Sequence, residues 1–527
     1  MSYQDLRQFL SALEKHGLLR HVKTEVDKDW EISAIMRWIY HGHSEENRYG
    51  VIFDRVRGHS IPVVVGAVGG SYKTYALGLG IDPGGPRAET MAKIRERFAT
   101  ALDNPIKPVT VGRGACQENV LKGDQVDLHR LPVPVWTPEK DGNWEKGLGF
   151  LTAPCHITKD PDTGIYNMGT YRSMVREQRN EIGINFSIAS HIQNHVRKNE
   201  ARGKPTEVAT VLGPDPAVMM ASVTRVPEDA DEIAVAGGLR GESVEMVRCR
   251  TIDLEVPASA EIVIEGRILP QKERPFEIEG PFGEVTGYQG CATYSPVCEI
   301  SCITFRNNPI YQAFLSQMPP SESSKVRQIG LESLTLKKLA DSGVEGIEDI
   351  SMPEGSQGRF IVVSIRKSDS GHAERAARAV FKILQPRYAK FVIVTDDDVD
   401  IYDLDTLIWA ITFRTSLTPD RRGVHFIEGL SATALDYSAA PSLEEELRKR
   451  SGDYGWPGVG LFIDATRPYE PYPVTSLPPP QYLERAITAW KRYGLPDLER
   501  ESLPRSVVVE EEYLKVGKVT RDLMPRV

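Results

Sequence analysis

The sequence predicts a multidomain α/β protein, on three observations. The chain has 527 residues, too many for one compact core, so two or three domains are expected. Both ends alternate helical and strand patterns, as a small α/β domain does. The middle is a succession of short β-rich runs broken by Gly, Pro and Asp, the texture of a β-barrel or sandwich with inserted helices.

In chain order, Leu6, Phe9, Leu10 and Leu13 fall at helical spacing, and Gly17 stops that helix. A strand pattern follows near Leu18 to Val26, then a helical stretch from Trp30 to Tyr40. Val51 to Phe53 and Ile61 to Gly66 read as strands, and Glu89 to Leu102 as a helix. From Pro108 to about Asn307 the β-rich runs are 109–111, 151–157, 206–212, 244–248, 261–268 and 297–305. Beyond Tyr311 the alternation returns, with apolar strands at 360–365, 390–394 and 460–463 and helices at 372–383 and 404–412. Residues 478–493 form a Pro-rich lead into a last amphipathic helix, suited to packing on a partner subunit. The resulting domain expectation is 1–107, 108–308, 309–475 and a terminal segment 476–527.

Bulk properties exclude several classes. Hydrophobic content of 40% with 26% charged residues is that of an ordinary globular protein. A net charge of -9 argues against a nucleic-acid binder, which carries a basic face. No apolar run approaches a bilayer span, and the opening residues lack a signal-peptide pattern. The 6 cysteines contain no C-x-x-C pair, hence neither a zinc site nor a disulfide framework is expected. The compartment read from this is a reducing cytoplasm, with no membrane or nucleic-acid partner.

Two segments carry the chemistry. Asn-Met-Gly-Thr-Tyr-Arg, Asn167 to Arg172, sets a neutral oxygen donor five residues ahead of a guanidinium. Glu-Gly-Pro-Phe-Gly-Glu, Glu279 to Glu284, holds two carboxylates across a Gly-Pro-Phe-Gly turn. A turn of this kind aims acids into a cleft, and a nearby arginine binds a carboxylate in bidentate fashion. Either would be solvent-facing in isolation. Asn167, His191 and Glu232 add O, N and O donors from three segments, a set suited to Mn²⁺ or Mg²⁺ and, through it, to a phosphate-bearing cofactor. His191 and His195 share a helix face, but Ile192 stands where a zinc protease needs Glu, so the plain reading of the pair is structural unless one of them finds ligand partners elsewhere. Asp396, Asp398 and Asp400 are not a calcium loop, because Ile401 and Leu407 occupy its Gly and Glu positions; a polar cap on a strand end fits better. The glycines of 66–70 and 78–85 match neither a dinucleotide fingerprint nor a P-loop, and read as turns.

With these residues in view the chain resembles the UbiD-like family of reversible (de)carboxylases that use prenylated FMN. The resemblance runs nearly end to end. It rests on the opening Asp5 to Gly17, on Val-Asp-Leu-His-Arg-Leu-Pro-Val-Pro from Val126, on Asn167 to Arg172, and on Ser190-His191-Ile192. Met220-Ala-Ser, Glu279 to Glu284, Asp396 to Tyr402 with Trp409, and Gly460 to Thr466 continue it in the family's order.

That resemblance implies an N-terminal α/β domain, a central split β-barrel (flavin-reductase-like) cofactor domain, and a C-terminal α/β domain with a terminal oligomerisation helix. It implies that Asn167, His191 and Glu232 ligate a divalent ion, usually manganese, which bridges to the cofactor phosphate. Met168, Ala221, Ser222, Thr224 and Glu232 would bind potassium. The cofactor would lie against residues 167–172 (Asn167, Met168, Gly169, Thr170, Tyr171, Arg172) together with Ser190, His191 and Glu232. Arg172, Glu279 and Glu284 become the catalytic set: Arg172 holds the substrate carboxylate, Glu279 orients Arg172 and keeps it charged, and Glu284 returns a proton. The reaction implied is non-oxidative decarboxylation of an aromatic, heteroaromatic or α,β-unsaturated acid, or an aryl-CoA ester, through a covalent substrate–cofactor adduct. Partners implied are a flavin prenyltransferase as cofactor supplier and further copies of the chain, as a homodimer or homohexamer. Small serines at Ser187 and Ser190 point to a wide pocket, and Ser190 departs from relatives with Gln there, as Glu284 departs from relatives with Asp. Rival readings are an FMN oxidoreductase and a non-catalytic flavin-binding scaffold.

Overall fold

A computed structural model describes residues 2–496 except 187–189, 225, 227–229, 385–388, 419–420, 433–437, 440–441, 443, 446–455, 469–471, 474–475, 477 and 479. It divides into two compact units, Met1–Leu334 and Thr335–Val527.

The first unit opens with the helix Leu6–Lys15, whose N-terminus is capped by the Asp5 side chain accepting from the Gln8 amide at 2.8 Å. Leu6, Phe9, Leu10 and Leu13 are its buried face, as their spacing predicts. Leu19–Val22 pairs in parallel with Gly50–Phe53, which pairs antiparallel with Val63–Val65. The fourth strand of this sheet is Tyr311–Ala313, parallel to Val63–Val65. It comes from beyond the expected 308/309 boundary, so the chain returns to its first sheet after completing the central one. Helices Glu31–Gly42 and Arg87–Asp103 lie where expected. A further short helix, Tyr72–Gly78, sits between the two glycine stretches and is closed by a Ser71–Thr74 capping box.

The centre is one nine-stranded sheet in which every pairing is antiparallel. Its order is Phe150–Leu151, Ser173–Val175, Glu181–Ile184, Val297–Phe305, Ile262–Ile268, Thr206–Leu212, Cys155–Lys159 and Tyr166–Thr170, with Asn119–Lys122 added beside Val297–Phe305. Two of the predicted runs, 206–212 and 297–305, match their strands end for end. The run 151–157 is instead two strands, broken around Pro154, which has no N–H to give to a ladder. Among the described residues no pairing joins the two ends of the sheet, so it is an open half-barrel rather than a closed one.

His156 lies on Cys155–Lys159, the strand next to one end of this sheet, and is fully buried. Its Nδ1 is 2.9 Å from the Thr210 hydroxyl and its Nε2 2.9 Å from that of Ser173. Burial pushes the imidazole down to about 4 from 6.5, only partly countered by the Tyr171 carbonyl. The folded protein therefore wants a neutral ring. That contribution is present above pH 6.5 and is lost as pH falls through about 4, worth on the order of 3 kcal/mol. The variant His156→Gln should show a flatter urea midpoint between pH 7 and 4.5 than the natural chain; parallel curves would show that this ring does not set acid stability.

The second unit is a five-stranded sheet, Ile347–Ser351, Phe360–Ile365, Phe391–Asp396, Trp456–Ala465 and Val424–Ala432, parallel at its centre and antiparallel at both edges. Helices His372–Leu384 and Leu404–Arg414 accompany it. Asp396 ends its strand, and Asp398 makes two bonds to Arg414 at 2.7 and 2.6 Å. Asp396 also accepts the Arg467 amide at 2.6 Å. This is a polar cap, with its acids committed to arginines. The terminal pattern forms the helix Pro480–Thr488. No helix of the described residues is long and apolar enough to cross a membrane, and all 6 cysteines are free thiols.

Candidate active site

The strand Tyr166–Thr170 carries the first motif, and Arg172 lies two residues beyond its end. The second motif begins on the strand Glu277–Glu279, and its turn brings Glu284 back toward Arg172. Arg172 Nε and Nη2 donate to the two Glu279 oxygens at 3.0 and 2.9 Å, a parallel fork, and Nη1 donates to Glu284 Oε1 at 3.1 Å. The Glu279 side chain is 0% exposed, against 15% for Arg172 and 17% for Glu284. Burial alone would lower the guanidinium; the Glu279 and Glu284 carboxylates outweigh it and hold Arg172 above its ordinary value. The Arg172 cation also sits 5.3 Å from the centre of the Phe282 ring, which in turn packs 4.5 Å from Phe150. An open edge on Glu284 and a closed one on Glu279 give the three residues different freedom.

Sequence reasoning missed Asn185. Its Nδ2 donates to Glu279 Oε2 at 2.8 Å and reaches the Thr293 hydroxyl at 3.3 Å. Glu279 is thereby fixed from both sides. Only its place as a polar residue just after the strand Glu181–Ile184 could have flagged it.

The second group of predicted residues converges nearby in the same unit. His191 and Glu232 each open a helix, His191–Ala201 and Glu232–Arg240. His191 Nδ1 lies 3.4 Å from Glu232 Oε1, and Glu232 Oε2 accepts the Met168 amide at 3.1 Å, beside Asn167. Asn167 is buried, its Nδ2 3.5 Å from the Thr158 hydroxyl. His195, the other member of the pair, is bonded to Thr158 at 2.8 Å and has a supporting role. Gly169 and Tyr171 fit one against the other, since a Cβ on Gly169 would lie 2.6 Å from the Tyr171 ring. Thr170 and Ser222 hydroxyls meet at 2.8 Å. Ala221 and Ser222 close the helix Pro216–Val223, and Thr224 caps it, so carbonyls of a helix end gather here. Ser190 is the buried N-cap residue before His191. Ser187 lies outside the described residues.

One imidazole, one carboxylate and one amide oxygen make an incomplete cage. Among the described residues no group of three or more His, Cys, Asp or Glu could hold a metal. In its chemistry the donor set fits a hard divalent ion and leaves positions for further oxygen ligands.

Three consecutive domain models of the 3-octaprenyl-4-hydroxybenzoate carboxy-lyase family match the chain. They are its N-terminal domain over residues 10–102, its Rift-related domain over 107–319 and its C-terminal domain over 328–465. Solved structures agree along almost the whole length. The UbiD-class enzyme HmfF from Pelotomaculum thermopropionicum, in complex with FMN, is 29% identical, with 92% of this chain and 99% of that chain covered and a TM-score of 0.77. The vanillic acid decarboxylase of Sedimentibacter hydroxybenzoicus in open form is 28% identical over 94% of this chain and 100% of that one, with a TM-score of 0.79. The 3,4-dihydroxybenzoic acid decarboxylase of Enterobacter cloacae is 25% identical over 92% and 100%, with a TM-score of 0.76. Fold and matches together define an enzyme of the carboxy-lyase class. The chain belongs to the UbiD family.

Proposed function

We propose that this protein removes carbon dioxide from an aromatic carboxylic acid, using prenylated FMN held through a divalent ion. The observation that carries the reading is the buried Arg172–Glu279 fork, with Glu284 on its one exchangeable edge. An evolved dimeric form of HmfF is in complex with prFMN, which supports the same cofactor here. Asn167, His191 and Glu232 would hold Mn²⁺ or Mg²⁺, and with it the cofactor phosphate. Carbonyls near Met168, Ala221, Ser222 and Thr224, with Glu232, would hold K⁺. The central half-barrel would be the cofactor domain, and the helix Pro480–Thr488 an arm for homo-oligomer contacts. When bound, the cofactor supplies the electrophilic carbon and electron sink that direct loss of CO₂ from an sp² carbon lacks.

The chain's own part is positioning and proton transfer. Glu279 occupies Nε and Nη2 of Arg172, so the Nη1 edge is the one that meets the substrate carboxylate. A substrate taking that edge releases Glu284 from its 3.1 Å bond. The carbon–carboxylate bond then breaks, its electron pair is left behind, and the carboxylate departs as neutral CO₂, which Arg172 no longer holds. Once released from Arg172, the Glu284 carboxylate takes up a proton from solvent and delivers it to the carbon that lost CO₂. Arene and CO₂ account for every atom of the substrate carboxylate plus that proton.

The vanillic and 3,4-dihydroxybenzoic acid decarboxylases among the relatives, and the small Ser190, favour a hydroxybenzoate or heteroaromatic acid over a cinnamate. The test is product analysis of protein co-expressed with a flavin prenyltransferase, against hydroxybenzoates, heteroaromatic acids, cinnamates and aryl-CoA esters. Loss of CO₂ from an aromatic acid, dependent on co-expression, is expected. Full activity with unmodified FMN, or NAD(P)H-dependent flavin reduction alone, would instead favour the oxidoreductase, and no turnover the scaffold.

A further inference from the structure

The turn that carries Glu284 is not self-supporting. Within it the Glu284 amide donates to the Tyr288 carbonyl at 2.8 Å and the Gly290 amide to that of Phe282 at 2.9 Å. Beside the Arg172, Asn185 and Phe150 contacts already described, two distant segments hold it. On one side the Gly142 amide donates to the Pro281 carbonyl at 2.7 Å, and a Cβ on Gly142 would lie 2.3 Å from the Gly280 carbonyl oxygen. On the other side the Gln317 side chain lies flat on Gly283, where a Cβ would be 2.6 Å from Gln317 Cγ. Only glycine permits either approach.

Both segments meet at one buried carboxylate. Asp141 Oδ2 accepts the Trp136 and Thr137 amides at 3.1 and 2.8 Å. Its Oδ1 accepts Gln317 Nε2 at 3.1 Å and Gln289 Nε2, from the turn itself, at 3.5 Å. Gln289 Nε2 also donates to the Lys140 carbonyl at 3.1 Å. Gln317 Oε1 accepts from the Thr137 hydroxyl, and Arg37, from the helix Glu31–Gly42, donates to the carbonyls of Ser316 and Met318 on either side of it. Gln317 has φ 72°, the left-handed region that a non-glycine residue adopts only when its surroundings impose it. Here the surroundings are Asp141, Thr137 and Arg37.

We propose that Asp141 is a positioning residue: with Gln317 and Gln289 it forms a buried clamp that seats the turn from Glu279 to Gly290 and so fixes where Glu284 meets Arg172. The proposal rests on the decarboxylase reading for its catalytic consequence, and on geometry alone for the clamp. Asp141 touches neither Arg172 nor Glu284, so it acts only through the turn. Burial pushes its carboxyl up to about 6, against the N–H groups of Thr137, Gln289, Trp136 and Gln317, while the Arg37 charge faces it. At neutral pH it is therefore an anion using both oxygens as acceptors.

Asp141→Asn is the discriminating change. An amide has one acceptor oxygen, so it satisfies either the Trp136 and Thr137 amides or the two glutamines, never both. Gln317→Gly is the partner variant; it keeps the left-handed backbone without strain and removes only the clamp's arm. In each, kcat is expected to fall roughly 10- to 100-fold with KM and cofactor content unchanged, the signature of a misplaced proton donor. Hydrogen–deuterium exchange of peptides covering 279–290 should speed up, and the double variant should be no worse than the more damaged single one. Normal exchange in that segment in both single variants would overturn the clamp, as would kcat losses that multiply in the double variant. Should the natural chain decarboxylate no aromatic acid, the functional reading falls and the exchange measurement alone decides the clamp.

Discussion

Arg172→Ala is expected to abolish decarboxylation and to destabilise the fold by about 3–5 kcal/mol, the usual result of stripping one partner from a buried ion pair. The reason lies in the asymmetry of the site. Glu279 is 0% exposed and receives two of its three close hydrogen bonds from Arg172. Without the guanidinium it is a buried charge held by Asn185 alone. Glu284, at the rim, relaxes into water at little cost. Arg172→Lys should recover part of the stability and little of the turnover, because an ammonium cannot make the fork and present a further edge at once. Urea midpoints and turnover on the same preparations measure both. If Arg172→Ala kept the natural midpoint, the fork would not be holding Glu279 in place.

The second large effect is expected at Glu232. This carboxylate accepts the amide of Met168, the neighbour of Asn167, and approaches His191 Nδ1 at 3.4 Å, so it ties two of the segments that carry the metal-ligand candidates. Glu232→Ala should lose divalent metal and flavin together, since a phosphate next to buried protein carbonyls has no compensating charge once the ion is gone. Metal analysis and flavin absorbance of the purified variant read this without any assay of activity. A variant that keeps its full flavin complement would remove Glu232 from the cofactor site. Stability should respond less than in Arg172→Ala, because the alanine leaves a helix start rather than an unpaired charge.

What the sequence made legible, and what it hid, follows from the range of the interactions. Asn167 to Arg172 and Glu279 to Glu284 could be read because their residues are contiguous and chemically unusual for a strand and a turn. The runs 206–212 and 297–305 could be read because β-branched and apolar residues dominate them and neither contains Pro or Gly. Where such a run contains a proline, as at Pro154, composition alone overstates the strand. Tyr311–Ala313 gives no local sign of pairing with Val63–Val65, because a parallel neighbour is chosen by the fold and not by adjacent sequence. Asn185 and Asp141 were invisible for a related reason. Each is an ordinary polar residue whose importance comes from partners about a hundred or more positions away.

The short run of chain from Asn167 to Arg172 has a consequence for how such enzymes diversify. Five residues of backbone span at most ~18 Å, and this span links the end proposed to hold the metal to the end proposed to hold a substrate carboxylate. It works as a ruler. A one-residue insertion would reverse which side chains face the site and break both ends together. Selection can therefore retune the acid accepted through separate segments, such as the one around Ser190, while the ruler is inherited unchanged. Divergence of substrate at constant cofactor is the history this geometry permits.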